Sequence, residues 1–197
     1  MSFLKKTMEL PNSIANRLAF LRYKPVYAEY PAIHGKLMLY AGKGAKISFG
    51  RNVRINSGLR FNPIGGDGTA IIYATDGASI SIGDNCGISN AAIVARTSVV
   101  IEDDVLIGGG CKIYDNDFHS IDYDRRMETP DTGIVSKPVL IRQGAFLGAH
   151  SIILKGVTIG RHSVIGAGSV VTRSVPDNEI WAGNPAVFVK KINPAAQ

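Results

Sequence analysis

Between Ile141 and Val171 an aliphatic residue returns at every sixth position, at Ile141, Leu147, Ile153, Ile159, Ile165 and Val171. Neither an α-helix nor a simple strand has that period. A small or branched residue stands two places before each, at Val139, Ala145, Ser151, Val157, Ser163 and Ser169, and Gly148, Gly160 and Gly166 follow three of them. Such a hexapeptide repeat predicts a triangular coil: each hexad gives a short strand and a tight turn, the aliphatic residue points into a prism, and the small residue fits its corner. Three hexads close one coil, so residues about 18 apart stack roughly 4.8 Å from coil to coil.

The phase continues upstream through Ile82, Ile88 and Val94, takes one extra residue, and resumes at Ile101, Ile107 and Ile113, with an earlier piece at Ile47, Val53 and Leu59. From Ile113 to Ile141 are 28 positions where the repeat needs six, so 22 residues leave the prism as an excursion carrying Tyr114, Asp115, Asn116, Asp117, Phe118 and His119. Loops of that length in a compact domain are usually functional or disordered. The expected division is an N-terminal cap segment with a short helix (1–46), the repeat coil (47–175, excursion about 114–137) and a C-terminal exit segment (176–197).

Composition agrees with a narrow all-β prism in a single domain: of 197 residues 45% are hydrophobic and only 8% aromatic. No apolar run reaches membrane-spanning length, and Met1 to Leu10 lacks the core and cleavage site of a secretory signal. The expected location is cytoplasmic, at most peripheral at the inner face of the membrane. Cys86 and Cys111 fall on corner positions, stacking with Val105 and Ala92 on different faces, and are expected to be free, buried, inert thiols.

Charge is uneven. Residues 1–60 hold eleven Lys and Arg against Glu9 and Glu29, a net +9, although the whole chain carries +6. Residues 13–24 predict a helix started by Asn12 or Ser13 and ended before Pro25, with Ile14, Leu18 and Leu21 on one stripe. That helix either caps the open end of the prism or offers a basic surface to anionic lipid or polysaccharide. Nucleic acid is not indicated, because no binding motif is present and the basic residues are not interleaved with stacking aromatics.

The repeat, the loop Ile-Tyr-Asp-Asn-Asp-Phe-His-Ser-Ile-Asp (113–122), and the block from Lys137-Pro138-Val139 through Gly156-Val157-Thr158-Ile159-Gly160 to Ala182-Gly183-Asn184-Pro185-Ala186 resemble the hexapeptide-repeat acyltransferases. The nearest branch is the maltose, galactoside and cell-surface polysaccharide O-acetyltransferases, and the resemblance covers about residues 80 to 192. It implies a left-handed parallel β-helix working as a homotrimer with active sites between prisms. Spacing alone does not supply that handedness, and the general preference for right-handed crossovers points the other way.

The resemblance further implies acetyl coenzyme A as acyl donor, with no metal. His119 matches the general base that takes a proton from the acceptor hydroxyl, and an imidazole with pKa near ~6.5 suits the task. No covalent nucleophile is needed, because a thioester is already activated. Asp115 and Asp117 either orient the ring or solvate the loop, Asp117 being the one placed at the acceptor site. Asn90 matches the asparagine of the acceptor and acetyl site, where an amide donates to an oxyanion or a sugar hydroxyl, or else is a corner asparagine. Ala149, Ala167, Thr172, Arg173 and Lys190 match coenzyme A positions: small residues against the pantetheine arm, cations toward phosphates.

Two departures bear on the acceptor. Ser98 stands where galactoside-type members carry a sugar-holding aspartate, and Val187 replaces an arginine near the nucleotide, so a simple galactoside is not expected. The helical domain of serine acetyltransferases does not fit into 46 residues. A carbonic anhydrase reading needs three zinc histidines, whereas His34, His119, His150 and His162 are the only histidines and His150 and His162 fall on different faces. The sequence therefore points to an acetyl coenzyme A-dependent O-acetyltransferase acting on a sugar hydroxyl, with a surface polysaccharide or its lipid-linked precursor as acceptor. An amino-sugar N-acetyltransferase or antibiotic-modifying relative, and a non-catalytic scaffold, are the alternatives.

Overall fold

A computed structural model describes residues 3–66 and 68–193, with side chains from Leu10 onward. Its strands wind through three parallel sheets that form the faces of a triangular prism. The first face holds Val26–Tyr27, Lys46–Phe49, Ser79–Ile82, Ser98–Ile101, Val139–Ile141 and Thr158–Ile159. The second holds Ala32–His34, Arg54–Asn56, Gly87–Ser89, Leu106–Ile107, Phe146–Leu147 and Val164–Ile165, then Glu179–Gly183 and its antiparallel partner Ala186–Lys191. The third holds Met38–Ala41, Ile71–Ala74, Ala92–Ala95, Lys112–Tyr114, Ile152–Ile153 and Val170–Val171.

Equivalent hexad residues lie side by side: Ile141 between Ile101 and Ile159, Leu147 between Ile107 and Ile165, Ile153 between Ile113 and Val171. Ile141, Leu147, Ile153, Ile159, Ile165 and Val171 are each 0% exposed. The residues two places earlier are buried as well, since strand alternation turns positions i and i−2 to the same side.

That same alternation displaces the upstream reading. Phe49 and Ile55 stack on Ile82 and Ile88, so Ile47 and Val53 occupy the corner place two residues earlier, and Leu59 is 56% exposed. At Val94 the difference is one residue instead of two: Val94 faces outward, and Ile93 takes the inward place between Ile72 and Ile113. Cys111 therefore stacks on Ala91 rather than Ala92, while Cys86 stacks on Val105 as expected. Both cysteines are free and buried.

The prism begins before residue 47. Val26–Tyr27, Ala32–His34 and Met38–Ala41 already pair with Ser48–Phe49, Arg54–Asn56 and Ile71–Ala74. Nor is 176–193 a plain exit, because Ile180 and Trp181 add a rung beside Val164 and Ile165; residues 194–197 of that segment, like residues 1 and 2 of the cap, lie outside the described residues.

Helix α1 (Phe3–Tyr23) is longer than residues 13–24 and runs through Pro11. It covers the first coil with Asn16 and Phe20, not with the Ile14, Leu18, Leu21 stripe, which is exposed. An edge coil has backbone groups without strand partners. The Asn16 amide serves both kinds, donating to the Gly35 carbonyl (2.9 Å) and accepting from the Leu37 N–H (3.0 Å). Phe20 closes the prism end, its ring 5.7 Å from that of Phe49 and 4.8 Å from that of Tyr30.

Two excursions leave the coil. One, between Tyr114 and Val139, joins the third face to the first. The other escapes the periodicity: Asn56 and Ile71 occupy the places of Ser89 and Ala92 yet are fifteen residues apart instead of three. Removing a buried aliphatic side chain costs about 2–5 kcal/mol, and an exposed one about 0.5 kcal/mol or less. Denaturant unfolding should accordingly show Ile55→Ala in the first range and Leu59→Ala in the second; similar losses for both would overturn the displaced register.

Candidate functional site

Asp115 begins the first excursion and is 0% exposed. Its carboxylate accepts from the backbone N–H groups of Arg96 (2.8 Å), Thr97 (2.6 Å) and Ser98 (2.8 Å), and from the Asn116 amide (3.0 Å). Those bonds consume both oxygens, so Asp115 anchors the loop root to the preceding coil and does not orient His119. Asp117 pairs with Lys155 of the next coil through Oδ1, while its Oδ2 is buried without a partner. The loop's two limbs are joined by backbone bonds, Asp117 N–H to the Val135 carbonyl (3.1 Å) and Lys137 N–H to the Asp115 carbonyl (2.8 Å).

At the tip, His119 has a side chain 73% exposed, with Nδ1 3.5 Å from Oδ2 of Asp131. Asp131 is the residue that sequence reasoning missed. Its carboxylate also accepts from the N–H groups of Ser120 (2.8 Å) and Gly133 (3.0 Å), and the Ser120 N–H above all holds this carboxyl below its ordinary value. Helix α2 (Tyr123–Met127), capped by Asp122, braces the tip, Arg126 donating to the carbonyls of Ser120 (2.8 Å) and Ile121 (3.1 Å). At that distance the carboxylate stands beside Nδ1 of the ring rather than Nε2.

Three of the other matched positions, Asn90, Ala149 and Ala167, lie along the edge between second and third faces. There Asn90, Gly109, Ala149 and Ala167 follow one another coil by coil, joined by His150 N–H to the Gly109 carbonyl (2.8 Å) and Gly168 N–H to the Ala149 carbonyl (2.8 Å). The residues just before two of these positions are glycine because the coils are close: a Cβ at Gly148 would stand 2.5 Å from the Ala167 nitrogen, and one at Gly108 2.7 Å from the Ala149 nitrogen. Asn90, at φ 47°, gives both amide hydrogens to the Gly65 and Gly66 carbonyls (3.3 and 3.1 Å) and accepts from Gly58 N–H (2.8 Å). Its amide thus engages Gly58, Gly65 and Gly66 of the second excursion. His150 holds the same loop through the Ile64 carbonyl (2.8 Å), and His162 stands on a different edge.

Thr172 and Arg173 follow Val170–Val171 on the third-to-first edge, the one from which the His119 loop leaves. The Arg173 guanidinium lies 5.2 Å from the ring centre of Trp181, which closes the far end of the prism. Lys190 is exposed on the antiparallel return strand beside Ile180. One chain thus places His119, Asp117, Thr172 and Arg173 on one edge and Asn90, Ala149 and Ala167 on another. The cysteines belong to neither: burial pushes the Cys86 thiol up to about 11 and raises that of Cys111.

Comparison with known proteins agrees with this architecture. Residues 138–173 match the bacterial transferase hexapeptide (six repeats) family. WbbJ of Escherichia coli K12, named for O-acetyl transfer in lipopolysaccharide biosynthesis, is 31% identical over 160 residues, 78% of this chain and 76% of WbbJ. The chain belongs to the hexapeptide-repeat acyltransferases. The galactoside O-acetyltransferase of Lactococcus lactis is 38% identical over 104 residues, 53% of this chain, which spans about half (48%) of that relative's length. The solved hexapeptide-repeat acetyltransferase VCA0836 of Vibrio cholerae, in complex with acetyl coenzyme A, aligns over 95% of this chain and 90% of its own with a TM-score of 0.57 at 23% identity. The fold is that family's left-handed parallel β-helix.

Within this member of the hexapeptide-repeat family, the Asp131 tie has a pH sign. A carboxyl whose folded value is depressed contributes above its ordinary range and loses that contribution as pH falls through the folded value. Near neutral pH, Asp131→Ala should speed hydrogen exchange at the Ser120 amide, and the wild type should lose this protection only below the usual carboxylate value of about 4. Equal exchange in variant and wild type would show that the carboxylate does not hold the loop.

Proposed function

We propose that the protein is an acetyl coenzyme A-dependent O-acetyltransferase that works as a homotrimer on a sugar hydroxyl of a surface polysaccharide or its lipid-linked precursor. The observation that carries this reading is that His119, beside Asp131, stands on one prism edge while the matched positions Ala149 and Ala167 follow one another along a second edge, which we read as the cofactor groove. A second copy packed side by side brings its groove to the first copy's loop, and flat faces suit a closed cyclic assembly. The WbbJ likeness supports the saccharide acceptor, and the acetyl coenzyme A held by VCA0836 supports the donor.

In this mechanism Nε2 of His119 takes the proton of the acceptor hydroxyl as its oxygen attacks the thioester carbonyl. The tetrahedral oxyanion then collapses, the C–S bond breaks, and the imidazolium returns its proton to the departing thiolate. Asp131 positions the ring and balances the imidazolium, while Asp117, fixed by Lys155, lines the acceptor side. Ala149 and Ala167 form the floor against which the pantetheine arm lies, with Thr172, Arg173 and Lys190 toward the nucleotide. Asn90 serves indirectly, by holding the 57–70 loop that walls the groove.

His119→Ala should lower kcat by about 10²–10⁴ with acetyl coenzyme A affinity near normal. The acetylated product should release acetate in mild alkali, as an ester does and an amide does not. Wild-type turnover by the variant, or an alkali-stable product, would reject the base or the O-transfer respectively.

The split site has its own test. If His119→Ala and Ala167→Trp trimers are each inactive, random reassembly of an equal mixture should restore about a quarter of the wild-type sites, since each site draws on two subunits. No recovery after demonstrated mixing would place the whole site within one subunit.

A further inference from the structure

Helix α1 buries Asn16 and Phe20 and turns a second apolar face directly away from the prism. Leu10, Ile14, Leu18 and Leu21 recur at helical spacing along it and are 52–71% exposed. Four large aliphatic side chains in one outward stripe go beyond the singly scattered hydrophobics of an ordinary surface. Arg17 and Arg22 flank the stripe, their guanidinium groups lying over the rings of Tyr30 (5.4 Å) and Tyr23 (5.5 Å). The helix also carries Lys5 and Lys6, Lys24 follows it, and Glu9 is its one acidic residue.

The position of this face matters as much as its chemistry. Phe20 reaches Tyr27, Tyr30 and the core ring of Phe49, so α1 lies across the first coil, at the end of the prism rather than along a side. Side-by-side packing of prisms uses the faces and leaves the ends free. In a closed threefold assembly all three caps lie at the same end, their outward stripes in one plane. A second copy is a poor occupant for that plane, because cap-to-cap contact would set one helix with Lys5, Lys6, Arg17 and Arg22 against Glu9, a net +3, against another.

We infer that the α1 cap is a membrane-docking surface that lies flat on an anionic bilayer, with Leu10, Ile14, Leu18 and Leu21 entering the acyl boundary and Arg17, Arg22 and Lys24 at the headgroups. An amphipathic helix of this length binds in the plane of the interface, and three on one rigid body multiply a weak individual affinity. Docking would confine the enzyme to the surface that carries a lipid-linked acceptor. The threefold multiplication rests on the trimer proposed above; the docking face itself does not.

The test is co-sedimentation of the full-length protein with phosphatidylglycerol–phosphatidylcholine vesicles and with phosphatidylcholine alone, beside sedimentation equilibrium and acetyl transfer to a soluble acceptor. Wild type should bind the anionic vesicles at least tenfold more tightly than the neutral ones. Ile14→Gln with Leu18→Gln, which leaves the charge unchanged, should weaken binding about tenfold or more while assembly and soluble activity persist, since these residues touch no part of the site. Arg17→Gln with Arg22→Gln should weaken it about fivefold per residue at low salt. An active trimer that ignores anionic vesicles would overturn docking and leave the enzymatic reading standing. Vesicle binding without acetyl transfer to any acceptor would leave docking standing and remove that reading. Unchanged binding by the glutamine pair would reduce the contact to charge alone, and loss of assembly in that pair would assign the stripe to a second copy; either result overturns the proposal.

Discussion

Everything in this molecule depends on coil-to-coil stacking inside a prism too narrow for anything but aliphatic side chains. Each inward residue pairs with its equivalent in the neighbouring coils, so the core is a set of columns. Small corner residues follow from the same closeness, since at Gly148 even a methyl group would meet the backbone of the next turn. A fold of this kind leaves no interior pocket for chemistry. Reactive groups have to sit on the edges, on loops that leave the coil or beside the corners they leave from.

The loops are held by charge placed against backbone. Asp115 grips three successive N–H groups of the neighbouring coil, and Asp131 repeats the device on a smaller scale at the loop tip, holding the Ser120 and Gly133 amides as it faces His119. Carboxylate bonds to backbone N–H are among the stronger hydrogen bonds available to a protein, which is why a long excursion can present an exposed histidine in a defined orientation. On the opposite edge Asn90 and His150 do similar work for the 57–70 loop, with neutral groups.

The ends of the prism obey a different rule. Stacking must stop somewhere, and the last coil at each end exposes apolar side chains and unpaired backbone. Trp181 and the antiparallel return strand close one end, while Asn16 and Phe20 of α1 close the other. Because one polar residue, Asn16, selects the inward face of α1, its aliphatic stripe is released to the outside.

The sequence by itself determined the coil from Ile82 onward, the excursion with its histidine and the buried state of both cysteines, because a period of six and a missing 22 residues are written locally. It could not distinguish position i from i−2 where the repeat weakens, since strand alternation turns both inward, and so Leu59 was misplaced and the first coil passed unnoticed; at Val94 two adjacent aliphatic residues hid a slip of one, Ile93 being the inward residue. Tertiary structure alone decided the matters that depend on contacts across coils. It made Asp115 an anchor and Asp131 the partner of His119, although they lie 4 and 12 residues away from it in opposite directions. It committed the Asn90 amide to a loop that the periodicity does not announce, and it divided the matched residues between two edges of the prism. It also chose which side of α1 faces the core, because helical spacing offers an apolar stripe but the unpaired carbonyl and N–H at the open end admit only the side that carries an amide.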